Sequence, residues 1–333
     1  MIKLLIGGSP CTHWSIAQKK NRETTAEGMG WELFKNYLIA REKFQPDFFL
    51  YENNKSAAQA IKDQIAYELG VGKDSKTRFT YINSGLVSAQ NRHRFYVTNF
   101  GDIEQPQDRG ITLRDIIDGD FYGLFSDYNN STTYEKGRTI GTGVGTSRSS
   151  THQQVILYPV KIKKIAKGGQ WDKVYEIEFE DGTRKIDSVK SYVRNLTPVE
   201  CERLQTMPDG YTKAVSNTQR YKGLGNGWTA EVIIHLLNHA LKDVPRDEEI
   251  IVLSMYDGIG TGRYCLEKMG FTNIEYHAYE IDKYAMAIAK DNYPDIIYHG
   301  DAFGLRDDAW NINVLSFDPQ LGQKWPESER INR

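Results

Sequence analysis

A cysteine, a glutamate and two arginines in the first hundred positions have the types and spacing for bond chemistry. Cys11 closes the run Gly7-Gly8-Ser9-Pro10-Cys11, which follows the apolar segment Ile2-Lys3-Leu4-Leu5-Ile6. That segment reads as a short buried strand bounded by glycines. The glycines permit a sharp turn and the close approach of a ligand, and Pro10 fixes the turn. The cysteine is thus delivered at a strand's carboxyl end, where open α/β sheets place their ligands, in a position suited to a thiolate nucleophile. The alternative is a buried structural cysteine behind a tight turn. Glu52 ends a second apolar strand, Asp47-Phe48-Phe49-Leu50-Tyr51, and is followed by Asn53-Asn54. A carboxylate at the tip of a core strand is poor for packing and useful for chemistry. In Gln90-Asn91-Arg92-His93-Arg94 the two arginines alternate, so both point to one face of an extended segment. They are suited to holding a phosphate or carboxylate as bidentate forks; the alternative is a pair of surface arginines.

The elements between these groups follow from periodicity. A polar stretch from Thr12 through Ser15 to about Met29 reads as a mobile loop, and amphipathic spacing predicts a helix over Trp31–Lys43 that Pro46 stops. A helix over Ser56–Leu69 and a strand over Phe79–Asn83 come next. Residues Asp102–Val193 are rich in Gly, Ser, Thr and Tyr and have few helical periods. There Val155–Ile165 and Lys173–Ile186 alternate as strands, with Glu180-Asp181-Gly182-Thr183 as a hairpin turn, which predicts a small β-rich domain. Thr197-Pro198 reads as a helix start, with threonine capping and proline first. Gly223-Leu224-Gly225-Asn226-Gly227 reads as a glycine-rich turn before a helix over Thr229–Leu241.

The last third has a different chemistry. The strand Ile250–Tyr256 runs into Asp257-Gly258-Ile259-Gly260-Thr261-Gly262 and then a helix. Strand, glycine loop and helix open a nucleotide-type site, where a ligand touches backbone at a helix N-terminus. A following strand, Ile274–Tyr279, ends at Glu280, placed to hold two ribose hydroxyls, and a third, Asp295–Tyr298, is followed by Gly300-Asp301.

Composition limits the setting. The chain has 333 residues, 39% hydrophobic and 26% charged, which fits two domains or one large core with an attachment. No apolar run is long enough to span a bilayer, and no secretory pattern opens the chain, so a cytoplasmic protein is expected. Cys11, Cys201 and Cys265 are too few and too scattered for a disulfide framework or a zinc site, and no metal is expected. The net charge of −2 is unevenly spread: Arg138–Arg194 carries 11 basic against 6 acidic residues, or +5, and Ile250–Arg333 carries 8 against 13, or −5. The basic middle suits a polyanion such as nucleic acid; solvated surface lysines would look the same.

Taken together, these residues resemble the DNA cytosine-5 methyltransferase family. Gly7–Cys11 is similar to its Pro-Cys loop, Glu52-Asn53 to its Glu-Asn motif, and Gln90–Arg94 to its Gln-x-Arg-x-Arg motif. Arg194–Pro198 with Glu200 and Leu204-Gln205 resembles the motif closing its recognition domain, and Gly225-Asn226 its late Gly-Asn motif. Asp257–Gly262, Glu280 and Gly300-Asp301 resemble its three S-adenosylmethionine motifs. The resemblance implies a Rossmann-like α/β methyltransferase sheet with a smaller β-rich target-recognition domain. It implies a catalytic half over 1–101, the recognition domain over 102–193, return helices over 194–245 and a cofactor half over 246–333. Because the cysteine precedes the cofactor motifs, it also implies a circular permutation cut between the third and fourth strands; 312–319 reads as a tail rather than a strand remnant. Asn54 stands where the family often has valine, and Ser9 where proline is commoner.

By the same resemblance Cys11, Glu52, Arg92 and Arg94 are catalytic. Asp257, Gly258, Ile259, Gly260, Thr261, Gly262, Glu280, Ile281, Asp301, Ala302 and Asn226 bind S-adenosylmethionine. Ser15, Arg148, Lys161, Lys163 and Lys164 meet nucleic acid. The expected partner is double-stranded DNA, with no membrane and no metal, and the expected protein is a bacterial or phage-encoded monomer of the restriction-modification kind. Two other functions stay open: methylation of transfer RNA, and DNA binding without catalysis. An N6-adenine enzyme fits poorly, because Asp318-Pro319-Gln320-Leu321 lacks the second proline and the aromatic residue that its site needs.

Overall fold

The computed structural model describes residues 1–15, 22–126, 130–132, 135–142, 154–167 and 173–307, with Cys11 described in its backbone alone. The readings made for 16–21, for Arg148 and the rest of the Gly141–Ser150 loop beyond residue 142, and for the tail over 308–333 lie outside these residues.

The chain begins β1 (Ile2–Gly7), α1 (Gly28–Phe44), β2 (Phe48–Asn54), α2 (Gln59–Leu69), β3 (Arg78–Asn83), β4 (Gln90–Asn91) and β5 (His93–Thr98). The middle contains β6 (Leu124–Ser126), β7 (Asn130–Thr132), β8 (Gly137–Arg138), β9 (Gln154–Ile156), β10 (Val160–Lys167), β11 (Lys173–Phe179), β12 (Arg184–Asp187) and β13 (Val193–Asn195). It closes with α3 (Pro198–Leu204), α4 (Asn217–Asn226), α5 (Ala230–Leu241), β14 (Ile250–Met255), α6 (Thr261–Lys268), β15 (Ile274–Tyr279), α7 (Lys283–Asn292) and β16 (Ile297–Tyr298).

Seven strands form one sheet in the order β16-β15-β14-β1-β2-β5-β3, in which β5 runs antiparallel to both of its neighbours. The strands are apolar runs because both faces are covered. Leu4, Ile6 and Val252 share one cluster with Val232 and Leu236 of α5 and Ile288 of α7. Leu5 and Leu253, on the opposite face, share another with Phe34 and Tyr37 of α1 and Ile61 and Ile65 of α2. The result is a Rossmann-like α/β/α arrangement. At the seam β1 and β14 lie parallel, with Gly7 beside Met255, and Gly7 is also level with Tyr51 of β2. From β1 the chain winds outward to β2, and from β14 it winds the other way to β15. That reversal opens a crevice at the strands' carboxyl ends, where ligands bind in such sheets.

Between β5 and α3 the chain is β-rich. Phe125, Ile156, Val160, Ile162, Tyr175, Ile177 and Val193 make a separate apolar core for these strands. The β11–β12 hairpin turns at the expected residues, with Asp181 accepting from Thr183 N at 2.9 Å and Gly182 at φ 81°. The run over Val155–Ile165 is divided into β9 and β10, with Pro159, which has no N–H for a ladder, at the break. Helix α3 starts as read, with a complete capping box between Thr197 and Glu200 and proline in its first turn.

The expected glycine turn over Gly223–Gly227 is a correction: α4 continues through Asn226. These glycines serve close packing instead. A Cβ on Gly225 would lie 2.5 Å from Gly141 C and Thr142 N, and one on Gly223 would lie 2.8 Å from Ile259 Cγ2.

Candidate active site

A cavity of about 210 Å³ opens at the seam. Its wall takes Gly8, Ser9, Pro10 and Thr12 from the loop after β1, Glu52 and Asn54 from β2, and Arg92 and Arg94 from the β5 side. Across from them stand Lys222–Trp228 residues of α4 and its exit, Asp257 and Gly258 after β14, and Glu280 and Asp282 after β15. The structure therefore joins motifs more than two hundred residues apart.

Glu52 is the centre of the first wall. Arg94 Nε lies 2.9 Å from its Oε1, and Trp228 Nε1 donates to its Oε2 at 3.1 Å. Antiparallel pairing explains the first contact, because Asn54 at the end of β2 is opposite Arg94 at the start of β5. Gly8 passes directly over the Glu52 carbonyl, where a Cβ would collide with backbone. Beneath that turn Ser9 Oγ and Tyr51 OH share a hydrogen bond of 2.8 Å, and Asn53 Nδ2 donates to Ser9 O at 3.0 Å. Ser9 thus answers its departure from the family pattern with a partner, Tyr51. Cys11 opens a 3-10 turn over Cys11–His13. Cys201 and Cys265 are buried, and that burial pushes both thiols well up, away from thiolate chemistry.

Arg92 lines the cavity but is buried, and its guanidinium donates to the carbonyls of Ile140 at 3.2 Å, Gly225 at 3.1 Å and Gly227 at 2.8 Å. Gln205 Nε2 also donates to the Leu224 carbonyl at 2.6 Å, so this corner of the wall is pinned by a buried polar network.

On the other side, Glu280 accepts from Gly258 N at 2.8 Å with Oε2, and from Ile281 N and Asp282 N at 2.8 Å each with Oε1. Asp282 caps α7 through Tyr284 N at 2.9 Å and takes Lys222 Nζ at 2.6 Å. Asp257 is enclosed, and burial raises its carboxyl to about 6. Its Oδ1 has two donors, whereas its Oδ2 is buried without a partner among the described residues.

The sequence-selected residues divide accordingly. Asp257, Gly258, Ile259, Thr261, Glu280 and Asn226 line the cavity. Gly260, Gly262, Ile281, Asp301 and Ala302 are not in its wall. Gly260 caps α6, Gly262 packs on Ile6 and Tyr276, and Ala302 belongs to the core. Asp301 caps a 3-10 turn through Phe303 N at 3.0 Å, and Ile281 is 72% exposed. Ser15 is half-buried and is not in the wall, while Lys161, Lys163 and Lys164 lie on β10. Sequence reading missed Trp228, Lys222, Tyr256 and Asp282. Their signals were weak: Trp228 directly follows Gly225-Asn226-Gly227, and Lys222 lies one helical turn before Asn226.

Known proteins are similar to this chain. A family model described as C-5 cytosine-specific DNA methylase matches residues 1–242. The type II methyltransferase M.HpaII of Haemophilus parainfluenzae is 25% identical over 247 residues, 67% of each chain. M.Sau3AI of Staphylococcus aureus is 23% identical over 325 residues, covering 72% of this chain and 78% of its own. The Entamoeba histolytica methyltransferase EhMeth superposes at TM-score 0.45 and 12% identity, over 73% of this chain and 78% of its own. The family match covers the cavity residues from the Pro10-Cys11 turn to Trp228, and the chain belongs to the C-5 cytosine-specific DNA methylases: it is a DNA cytosine-5 methyltransferase.

Proposed function

We propose that the chain transfers a methyl group from S-adenosylmethionine to C5 of a cytosine flipped out of duplex DNA, through a covalent bond between Cys11 and C6. The observation that carries this reading is the single cavity joining the Cys11 turn, Glu52 with Arg94, and the acidic wall of Asp257, Glu280 and Asp282. The acidic wall fits the cofactor on its own chemistry. The unpartnered Oδ2 of Asp257 needs a donor, and three carboxylates suit a ligand bearing an ammonium, a sulfonium and ribose hydroxyls. Asp257, Glu280 and Asp282 would hold it, with Gly258 offering close backbone approach. When bound, S-adenosylmethionine supplies an electrophilic methyl group.

The remaining chemistry belongs to the chain. C5 of cytosine is a weak nucleophile, so the Cys11 thiolate first adds to C6, forming an S–C6 bond and moving the C5=C6 electron pair toward C5. Glu52 supports that flow at the N3/N4 edge, giving a proton or hydrogen bond to N3 as charge develops there. Arg94 holds Glu52 in place. After C5 takes the methyl, loss of the C5 proton returns its electron pair to the ring, the S–C6 bond breaks and the thiolate is restored. None of these atoms is reachable in a stacked duplex, hence the flip.

Residues 102–193 act as the target-recognition domain, supported by their separate β core and their place between the arginine motif and α3. The sheet order also supports a circular permutation, since β14, β15 and β16 occupy the flank beside β1 although they come last in the chain. Among the described residues no helix is long and apolar enough to cross a membrane, and we read the protein as a cytoplasmic monomer acting on DNA.

The test is covalent trapping. Duplex DNA carrying 5-fluorocytosine retains fluorine where a proton must leave, so the wild type forms a denaturant-resistant adduct and Cys11→Ser forms none while still binding DNA. Substantial turnover by the serine variant overturns the covalent route. Methylation of transfer RNA in preference to duplex DNA overturns the substrate.

A further inference from the structure

We infer that Trp228 is a positioning residue for Glu52, and that Arg92 acts on the same carboxylate through it. The inference rests on the catalytic role proposed for Glu52. An ionised carboxylate has about four lone-pair sites, so two donors on different oxygens fix its plane and still leave acceptor capacity for a substrate. Here those donors are Arg94 Nε on Oε1 at 2.9 Å and Trp228 Nε1 on Oε2 at 3.1 Å. They come from opposite walls of the cavity: Arg94 from β5, and Trp228 from the link between α4 and α5.

Trp228 is itself held. The carbonyl of the preceding Gly227 accepts from Arg92 Nη2 at 2.8 Å and from Gln205 Nε2 at 3.2 Å, while Gly227 N donates to the Gly223 carbonyl at 2.8 Å. The hydroxyl of the following Thr229 donates to Gln205 Oε1 at 2.9 Å. Hydrogen bonds of both neighbours, through the backbone of Gly227 and the hydroxyl of Thr229, therefore fix the segment that carries the Trp228 indole. The two arginines of Gln90–Arg94 divide the work. Arg94 grips one oxygen of Glu52 directly, and Arg92 braces the segment whose tryptophan grips the other. This also explains why Arg92 is buried among carbonyls rather than open to a phosphate.

An indole N–H suits the task. It donates without itself gaining or losing a proton, so it orients Glu52 and leaves the carboxylate's remaining sites to the substrate edge. Stacking of the indole on a base or a cofactor would be a separate role, and Phe would preserve it.

The experiment uses the full chain. Trp228→Phe keeps an aromatic ring and removes the N–H. Expected is a loss of about 10- to 100-fold in the single-turnover rate of adduct formation on 5-fluorocytosine DNA, the range for one hydrogen bond to a charged group. DNA affinity, measured with and without S-adenosylmethionine, should change less than about twofold, within ordinary surface-substitution effects. Glu52→Gln with Trp228→Phe should be little slower than Glu52→Gln alone, because both act on one carboxylate. An unchanged rate in Trp228→Phe, or fully multiplicative losses, overturns the inference. A second readout does not need turnover. The Trp228 indole ¹H–¹⁵N resonance, identified by its disappearance in Trp228→Phe, should move in Glu52→Ala; a peak that stays in place refutes the contact. If the wild type traps no DNA but the resonance moves, the covalent reading fails and the contact stands.

Discussion

Tyr276 OH and Ser254 Oγ both donate to Oδ1 of Asp257, at 2.7 Å each, and among the described residues nothing donates to Oδ2. Asp257 is therefore a carboxyl group with one satisfied oxygen inside a closed wall. Burial raises it to about 6, from 3.8 in an open chain, against the lowering effect of the two hydroxyls. Between those values Asp257 holds more of its proton in the folded chain than in the unfolded one. The stability associated with protonating Asp257 is thus present at low pH and lost as pH rises toward 6, by about 3 kcal/mol in all. Asp257→Asn should flatten this part of the stability profile when urea midpoints are followed from pH 4 to 7.

The same orphan oxygen makes a binding prediction. A donor from the ligand favours the charged carboxylate and draws its titration down, so binding of S-adenosylmethionine should release a proton near pH 6. Calorimetry in two buffers of different ionisation enthalpy reads that proton directly. Equal heats in both buffers would remove Asp257 from the ligand's contacts.

Glu280 has a double task, since it holds Gly258 N, Ile281 N and Asp282 N while facing the cavity. Glu280→Ala should weaken S-adenosylmethionine binding by about 1.5–3 kcal/mol, with DNA binding in its absence little changed. Glu280→Gln keeps an acceptor for one amide group and should fall between wild type and alanine. Unchanged affinity in both would misplace the ribose site.

Arg194 and Glu200 make a structural clasp at the return to the main sheet. Glu200 is fully buried and takes Arg194 Nη1 at 2.8 Å and Nη2 at 2.6 Å, along with Asp118 N at 3.0 Å and Thr197 N at 2.7 Å. Arg194→Ala leaves that carboxylate with amide donors alone and should cost about 3 kcal/mol, the low end for breaking a buried pair. Arg194→Ala with Glu200→Gln should recover part of the loss in urea unfolding.

Much of this was legible in the sequence because it is local. Apolar runs ended by glycine or carboxylate marked β1, β2, β14 and β15, and the Thr197-Pro198 start needed no tertiary information. The carboxylates Glu52, Asp257 and Glu280 were legible for the same reason, each being anomalous at a strand end. Arg92 was not, because alternation gives a shared face and says nothing of the carbonyls of Ile140, Gly225 and Gly227 that cover it. Nor was the α4 extension: three glycines argue for a turn until Gly141 and Ile259 are seen pressed against them. Trp228 had only its place after Gly225-Asn226-Gly227, which says nothing of an indole N–H that reaches Glu52.

The last prediction concerns the basic strand β10. Lys161 Nζ lies 3.7 Å from Glu178 Oε1, and Lys163 is in register opposite Glu176. Arg184 reaches both acids, at 3.8 Å to Glu176 and 2.9 Å to Glu178. The exposed face of this three-stranded sheet is thus a ladder of mixed charge, and its lysines must share their charge between glutamates and any phosphate. Loss of one phosphate contact lowers the slope of log K against log salt by about 0.9. Lys163→Ala should approach that value, and Lys161→Ala should fall short of it because Glu178 competes for the same ammonium. Glu176→Gln with Glu178→Gln should then tighten binding to all DNA sequences alike, since phosphate contacts carry no base information. Binding isotherms over a salt series, with bisulfite mapping of the methylated site, check both halves. Unchanged slopes in the two lysine variants would place the phosphate track elsewhere, and a shifted methylation site would give this sheet a part in base reading instead.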